Sequence, residues 1–241
     1  MNIKLEMSDM RWQLSRHSVG VWGYAKTAGK YVGGTGFLLN FRGKRLVVSC
    51  DHILNKIDDI IYVSFSRENY QDRAIHRYIE TQNTIDMAFI ELQDNVSLPH
   101  RDMLTADDVQ TNFIDPDCAV YVYGFPNGHR KIQEGWDIKE DVHEAHLRSV
   151  TYLSITESKR YNSSLKITQP TIRWVNDENI SSKTFKRLYF PLDPHGFSGG
   201  PVFLANPKKL IGHVTHCDEN QRFYYTPIKD TLDAIDKLLN H

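Results

Sequence analysis

Three side chains spread along the sequence together have the chemistry of nucleophilic catalysis. His52 follows an apolar run, Asp86 precedes a second apolar run, and Ser198 lies in the string Gly196-Phe197-Ser198-Gly199-Gly200-Pro201. A serine hydroxyl is a poor nucleophile until a base removes its proton, and an imidazole base needs a buried carboxylate that holds its tautomer. These residue types predict that Ser198 attacks a substrate, that His52 takes and returns the proton, and that Asp86 orients His52.

The glycines around Ser198 indicate how the chain can meet a second requirement of this chemistry, which is stabilisation of the oxyanion. A tight turn can aim consecutive backbone N–H groups at one point, where they stabilise the oxyanion of a tetrahedral intermediate. We therefore expect the N–H groups of Gly196 and Ser198 to form an oxyanion hole. Taken alone, the string also suits a structural turn, because Gly, Ser and Pro are typical turn residues. The conjunction of His52, Asp86 and Ser198 favours the catalytic interpretation.

The elements that must position these residues are mostly strands. Helical periodicity is convincing only at the end, where it predicts a helix from Ile228 to Asn240. The polar segment from Arg101 to Thr111 is expected to connect two halves of the fold, and residues 127–164 to form a loop with irregular strand. Apolar runs rich in β-branched and aromatic residues predict strands at 18–24, 36–40, 44–49, 60–65, 87–92, 119–124 and 210–214.

The composition limits the partners and the compartment. The 241 residues include 29 Lys plus Arg and 30 Asp plus Glu, so no overall positive field recruits nucleic acid or an anionic membrane. The first ten residues lack the apolar run of a signal peptide, and no window has the length of a membrane span. The three cysteines, Cys50, Cys118 and Cys217, are an odd number in apolar or β-like stretches. We expect a soluble cytoplasmic protein with reduced thiols.

The order His, Asp, Ser resembles that of the trypsin-like, chymotrypsin-fold serine peptidases, specifically the compact bacterial members. The string Gly34-Thr35-Gly36-Phe37-Leu38-Leu39 is similar to the family's strand before the histidine. Tyr123-Gly124-Phe125-Pro126 is similar to the string that opens the second barrel, and Leu210-Ile211-Gly212-His213-Val214-Thr215 to the strand after the nucleophile. The resemblance covers roughly residues 18 to 240.

This resemblance implies an all-β fold of two antiparallel six-stranded β-barrels with a C-terminal α-helix and the site in the cleft between the barrels. The implied segments are an N-terminal segment 1–17, a first barrel 18–112, a second barrel 113–228 and a helix 229–241. It also implies peptide-bond hydrolysis without metal or organic cofactor, acting on a protein or peptide substrate. In this register Thr215 is expected to hydrogen-bond Asp86.

Two positions depart from the family pattern. Cys50 and Asp51 precede the histidine where secreted animal members usually have alanines, so the packing under His52 must differ. Phe197 stands where zymogen-activated members have an aspartate that pairs with a newly cut N-terminus. That activation route is therefore absent, and control is expected to come from ordering of the turn from His195 to Ser198 or from a protein partner.

The sequence leaves open which residue forms the floor of the substrate pocket. In one register Leu192 forms the pocket floor, and with Val214 and Phe223 it favours a small or medium apolar side chain. A shift of one residue places Asp193 at the floor instead, which favours Arg or Lys. The expected substrate-binding residues are Leu192, Asp193, His195, Val214, Thr215, His216 and Phe223.

Other readings of the sequence are weaker. A zinc site from His213, His216 and Cys217 with His143 and His146 is unfavourable, because residues three apart on a strand point to opposite faces. Cys50 is expected to be a small buried side chain rather than a thiol nucleophile. A binding module that has lost turnover is the competing class, and an acyl hydrolase of other fold is disfavoured by the order of the three residues. A cytoplasmic enzyme of this size suggests selective processing of a protein partner.

Overall fold

Strands make up most of the regular secondary structure among the described residues, as the recurring apolar runs predict. The structure, a computed structural model, describes residues 3–58, 61–64, 71–73, 78–80, 85–98, 101–126, 130–132, 145–147, 150–174, 195–219 and 222–240. In these ranges no helix is both long and apolar enough to cross a membrane.

The first half of the chain forms an antiparallel sheet of seven strands. These are β1 (Ser18–Ala25), β2 (Lys30–Phe41), β3 (Lys44–Ser49), β4 (Tyr62–Ser64), β5 (Gln71–Arg73), β6 (Tyr78–Glu80) and β7 (Ala88–Glu91). They pair in the order β5-β4-β1-β2-β3-β7-β6. Within the described residues the edge strands β5 and β6 do not pair with each other, so the sheet is open. The predicted closure of this half into a six-stranded barrel is therefore not confirmed.

The second half forms a closed barrel of six antiparallel strands, as predicted. Its strands are β8 (Ala119–Gly124), β11 (Val150–Asn162), β12 (Ile167–Trp174), β13 (Pro201–Leu204), β14 (Leu210–Cys217) and β15 (Phe223–Pro227). They close in the order β11-β12-β15-β14-β13-β8. The remaining strands β9 (Arg130–Ile132) and β10 (Ala145–Leu147) pair only with each other among the described strands. Closure removes unpaired edges and gives the turn before β13 a fixed base.

Among the described residues, three α-helices accompany the strands. Helix α3 (Ile228–Leu239) confirms the C-terminal helix and buries Ile228 and Ile235 completely. The short α2 (Asp51–Leu54) follows β3 directly. Helix α1 (Ile3–Arg16) was not predicted, because charged residues interrupt its apolar positions. Met10 and Leu14, one turn apart, are buried with 6% and 3% of their surface exposed, which places both on one buried face.

One hydrophobic cluster joins the two halves. It contains Phe37 and Phe89 from the open sheet, Tyr123 and Phe125 from the barrel side, and residues of both terminal helices. Burial of apolar surface stabilises the fold by roughly 25 cal/mol per Å², so a shared cluster resists separation of the halves. The cluster therefore fixes the open sheet relative to the barrel. The segment boundaries predicted at 18, 113 and 229 stay a prediction.

Candidate active site

His52 is placed by an abrupt change from strand to helix. Strand β3 ends at Ser49, Cys50 keeps an extended backbone, and helix α2 begins at Asp51. Ile53 and Leu54, which follow His52, are buried with 8% and 1% of their surface exposed and anchor the helix. The His52 side chain keeps 30% of its surface exposed. The buried residues of α2 therefore anchor His52, and part of its imidazole is open to solvent.

Asp86 holds this imidazole with both carboxylate oxygens. The Nδ1 atom of His52 lies 2.6 Å from Oδ2 of Asp86, and the backbone N–H of His52 donates to Oδ1 at 3.0 Å. A carboxylate accepts, so this pairing keeps the proton on Nδ1 and leaves Nε2 as the free acceptor. That is the tautomer of a general base.

Asp86 itself is unusual in backbone and burial. Its φ of 47° lies in the left-handed region, where aspartate is tolerated better than most side chains, and only 3% of its surface is exposed. Burial opposes ionisation, but the side-chain hydrogen bond, charge and backbone N–H of His52 outweigh it, so the pKa of Asp86 is lowered. Asp86 is therefore ionised when its partners are in place.

The segment that carries Ser198, residues 195–200, is called the serine turn and immediately precedes strand β13. Gly196 and Gly199 have φ values of 100° and 82°, which L side chains rarely adopt, so glycine is needed at both positions. The N–H of Gly200 donates to the Phe197 carbonyl at 2.7 Å and closes the turn. Within the described residues, the N–H groups of Gly196 and Ser198 donate to no other group. These free donors are what an oxyanion hole requires.

Thr35 of β2 ties this turn to the open sheet. Its N–H donates to the Ser198 carbonyl at 2.8 Å, and its Oγ1 donates to the Gly196 carbonyl at 2.7 Å. The same Oγ1 accepts from the N–H of Phe125 at 3.0 Å. Thr35 is completely buried, so every one of these bonds forms away from water. A Cβ on the preceding Gly34 would lie 2.7 Å from the Ser198 carbonyl oxygen, which shows how closely the two segments approach.

The Ser198 hydroxyl donates to the Thr215 carbonyl at 3.1 Å. Among the described contacts it makes no hydrogen bond to His52. Catalytic hydrogen bonds in substrate-free enzymes are often long or absent and form fully only in the substrate complex. A rotation about the Cα–Cβ bond of Ser198 moves its hydroxyl without disturbing the turn.

The predicted hydrogen bond from Thr215 to Asp86 is wrong. Oγ1 of Thr215 lies 3.2 Å from the Tyr224 carbonyl and 3.4 Å from Oε1 of Gln169. The register of β14 against β15 shifts between Val214 and His216, and successive strand residues point to opposite faces. The Thr215 hydroxyl is therefore directed to Tyr224 and Gln169 and not to Asp86.

The next residue, His216, faces Asp86 instead. Its Nδ1 lies 3.8 Å from Oδ2 of Asp86, and its ring centroid lies 5.1 Å from that of His52. This Nδ1 is buried and has no hydrogen-bond partner among the described residues. Burial lowers the pKa of His216. The sequence placed His216 in the substrate cleft but gave no signal for its approach to Asp86.

Cys50 and His213 complete the buried surroundings of Asp86. Cys50 is buried and its Sγ donates to the Val214 carbonyl at 3.1 Å, while burial followed by the charge of Asp86 raises its pKa. His213 is completely buried between the Asp86 carbonyl at 3.4 Å and Thr231 Oγ1 at 3.3 Å, and burial lowers its pKa to about 4. It is a neutral core histidine.

One group of metal-ligating atoms occurs among the described residues. It consists of Cys50, His52 and Asp86, whose ligand atoms all lie within 4.8 Å of one another. The rejected grouping of His213, His216 and Cys217 does not form such a cluster. His143 and the side chain of His146 lie outside the described residues.

The structure describes some of the residues expected to line the substrate pocket and leaves others outside the described ranges. Leu192 and Asp193 lie outside the described residues, so the choice between an apolar and an acidic pocket floor stays open. Val214 and Phe223 are each 1% exposed within the barrel core, where they present no open surface to a substrate in this structure. His195 is exposed beside the turn. Their roles in substrate binding stay predictions.

The comparisons with known proteins agree with the architecture. Residues 34–212 match the profile of the trypsin-like peptidase domain. The active form of the Rv3671c protease from M. tuberculosis is 14% identical over 94% of this chain and 82% of that chain, with a TM-score of 0.61. Deg5 is 14% identical over 99% and 97%, with a TM-score of 0.61. The protease Anisep from Arthrobacter nicotinovorans is 12% identical over 93% and 94%, with a TM-score of 0.60. No curated protein sequence matches.

The fold and the family match together define a peptidase of chymotrypsin-like architecture, since the solved structures share the fold. The profile spans most of the chain, and the chain therefore belongs to the trypsin-like peptidase domain family. It is an enzyme of the peptidase class with a protein or peptide substrate.

Thr35→Val tests whether Thr35 positions the serine turn. The variant keeps the volume but removes a hydroxyl that serves the Gly196 carbonyl and the Phe125 N–H. Loss of one oxyanion-hole donor costs about 100 to 1,000-fold in kcat, and we expect a misplaced turn to cost about 10 to 100-fold in kcat with little change in KM. Thr35→Ser should restore most of the rate. Equal kcat in Thr35→Val and the native chain would contradict this role.

The burial of His213 predicts that the free energy of unfolding falls in acid. A buried histidine with its pKa lowered from 6.5 to about 4 binds fewer protons folded than unfolded, so stability is complete above pH 6.5 and falls as the pH drops toward 4. The loss is on the order of 3 kcal/mol, since one pKa unit corresponds to about 1.4 kcal/mol.

Urea unfolding at a series of pH values measures this loss. His213→Gln, whose amide can replace the ring nitrogens as a hydrogen-bonding group, should flatten the slope between pH 6.5 and 4. The matched control is a glutamine substitution at the exposed His195, which should leave the slope unchanged. An unchanged slope in His213→Gln would show that other groups cause the acid sensitivity.

Proposed function

We propose that the protein is a serine endopeptidase in which Ser198 is the nucleophile, His52 the general base and Asp86 the residue that orients His52. The observation that carries this proposal is the pairing of both His52 donors with a buried carboxylate, together with a serine turn whose Gly196 and Ser198 N–H groups have no partner among the described residues. A structural histidine needs neither the open Nε2 nor the free donors. The cleft between the open sheet and the barrel is the proposed substrate site, and closure of that sheet into a first barrel belongs to the same proposal.

The proposed reaction proceeds in two acyl-transfer steps. Nε2 of His52 accepts the proton of the Ser198 hydroxyl as the oxygen attacks the substrate carbonyl carbon. Asp86 stabilises the imidazolium, and the N–H groups of Gly196 and Ser198 stabilise the oxyanion. His52 then gives its proton to the leaving amine, and a water molecule hydrolyses the acyl-enzyme by the same route. No metal ion or organic cofactor participates.

The substrate proposal is selective processing of a protein partner. Selectivity is supported by the half-buried position of Ser198 and by the crowding of His216 against His52 at 5.1 Å between ring centroids. Cys50, Cys118 and Cys217 are all free, which supports a reducing setting such as the bacterial cytoplasm. The preferred residue at the cut is apolar if Leu192 forms the pocket floor and basic if Asp193 does.

A fluorophosphonate probe tests the assembled nucleophile. We expect the purified chain to gain one covalent label, measured by intact mass, because the probe reacts with a serine activated by its base. Ser198→Ala and His52→Ala should remain unlabelled under the same conditions. Asp86→Asn should slow labelling by about 10,000-fold, as expected when the base is held in the wrong tautomer.

The fluorophosphonate experiment also separates an enzyme from a binding module. The hydrogen bond from Ser198 to the Thr215 carbonyl is the observation that favours a resting or latent state. Failure of the native chain to label, with an unchanged fold by circular dichroism, would contradict the proposal of a constitutively active peptidase. Labelling only after addition of a cell extract would show that a partner orders the site.

Trapping with the Ser198→Ala form tests selectivity. An inactive peptidase retains its substrate, so affinity capture should enrich a small number of proteins that the native chain cuts at defined bonds. His52→Ala serves as a second inactive bait and should enrich the same proteins. Absence of enriched proteins together with unselective digestion of casein by the native chain would contradict selective processing.

A further inference from the structure

Three metal-ligating side chains form a cluster around the His52 imidazole, and a fourth, His216, lies beside Asp86. The ligand atoms of Cys50, His52 and Asp86 lie within 4.8 Å of one another. The Nδ1 of His216 lies 3.8 Å from Oδ2 of Asp86. The proposed hydrolysis uses His52 and Asp86 directly, whereas Cys50 contacts the Asp86 carboxylate through its thiol, and the Nδ1 of His216 is a buried nitrogen without a hydrogen bond among the described residues. Hydrolysis therefore accounts for only two of the four groups.

We propose that Cys50, His52, Asp86 and His216 form an inhibitory binding site for Zn²⁺ or a similar thiophilic divalent cation. Thiolate, imidazole and carboxylate together are zinc ligands, and four of them make a closed tetrahedral site. A thiolate and two imidazoles disfavour Mg²⁺ and Ca²⁺, which take oxygen ligands. This proposal rests on the proposed function for its inhibitory effect, but the binding itself does not.

This coordination requires shifts of about 1 Å, because the ligand atoms of Cys50, His52 and Asp86 lie up to 4.8 Å apart. Zinc bonds of about 2.0 to 2.3 Å place the ligand atoms of one tetrahedral ion about 3.3 to 3.8 Å from each other. The separation between His216 and Asp86 already lies in this range. The pair of His52 Nδ1 and Asp86 Oδ2, at 2.6 Å, must open by about 0.8 Å as the ion replaces the shared proton.

Zinc at Nδ1 stops catalysis through the tautomer of His52. The ion needs the lone pair of Nδ1, so the single proton of the neutral imidazole moves to Nε2. The Cys50 thiol gives its proton to solvent and becomes a thiolate. With a proton on Nε2, His52 cannot accept the proton of Ser198, and Asp86 is occupied by the ion. The serine turn, the N–H groups of Gly196 and Ser198, and the fold stay as they are.

Cys50→Ala separates zinc binding from catalysis. The labelling rate of each chain with zinc is compared with its own labelling rate without zinc, so the test does not depend on an unchanged basal rate in Cys50→Ala. Loss of an outer-shell partner weakens metal binding by about 10 to 100-fold, and loss of a ligand should weaken it by about 100-fold or more. Cys118→Ala, which removes a cysteine outside the cluster, is the matched control.

The experiment uses the untagged full chain after removal of metals with a chelator. Competition with a chromophoric chelator should show one tight Zn²⁺ site in the native chain and in Cys118→Ala. Zinc should slow fluorophosphonate labelling of both by at least about tenfold, the chelator should restore the rate, and Mg²⁺ should have no effect. Cys50→Ala should keep its labelling rate at the zinc concentration that inhibits the native chain.

A cobalt spectrum reads the site without any catalytic activity. Co²⁺ bound through Cys50 should give a near-ultraviolet thiolate-to-cobalt band in the native chain and in Cys118→Ala, and the band should be absent in Cys50→Ala. Absence of this band in a native chain that labels normally would overturn the zinc proposal and leave the peptidase proposal standing. Equal zinc inhibition of Cys50→Ala and the native chain would also overturn it, since the ion would then bind without Cys50. Thermal unfolding of each variant confirms that the chains compared are folded.

Discussion

The proposed nucleophile and the proposed base lie on separate halves of the chain and can react only if the distance between the halves is fixed, and Thr35 carries this constraint. Its backbone and hydroxyl bind the carbonyls of Ser198 and Gly196, and its hydroxyl also receives the N–H of Phe125. Three segments therefore meet at one buried residue. Hydrogen bonds that share an atom in a low-dielectric interior strengthen one another, and an incomplete set costs more than its separate bonds. The shared hydrophobic cluster maintains the contact in which this network forms.

The buried carboxylate of Asp86 imposes a second constraint on its neighbours. A charge with 3% exposure is tolerated only when hydrogen bonds replace the lost water, and His52 supplies two of them. The left-handed backbone of Asp86 directs the carboxylate under the imidazole, at a cost that the surrounding packing offsets. Removal of His52 would leave this charge buried and uncompensated. Catalytic geometry and stability are thus coupled at Asp86.

Much of the barrel and of the site was predictable because it depends on local patterns. The apolar runs mark β3, β8 and β14, the periodicity of the last residues marks α3, and the glycine string marks the serine turn. The exchange of Thr215 for His216 beside Asp86 was not predictable, since one register shift in β14 decides which side chain faces the carboxylate. Helix α1 lacks a clear periodicity and gains its stability from tertiary contacts of Met10 and Leu14.

Phe197, the residue before Ser198, is anchored in the core of the barrel. Its ring is completely buried in the barrel, 5.3 Å from Tyr152 and 5.5 Å from Phe223 between centroids, and it lies so close to Gly124 that a Cβ there would lie 2.6 Å from it. The residue before the nucleophile is therefore anchored by apolar contact and not by an ion pair with a newly released amine. Apolar contact is insensitive to salt and forms as the barrel closes. Because these contacts form with the barrel itself, folding of the barrel fixes the position of the residue before Ser198.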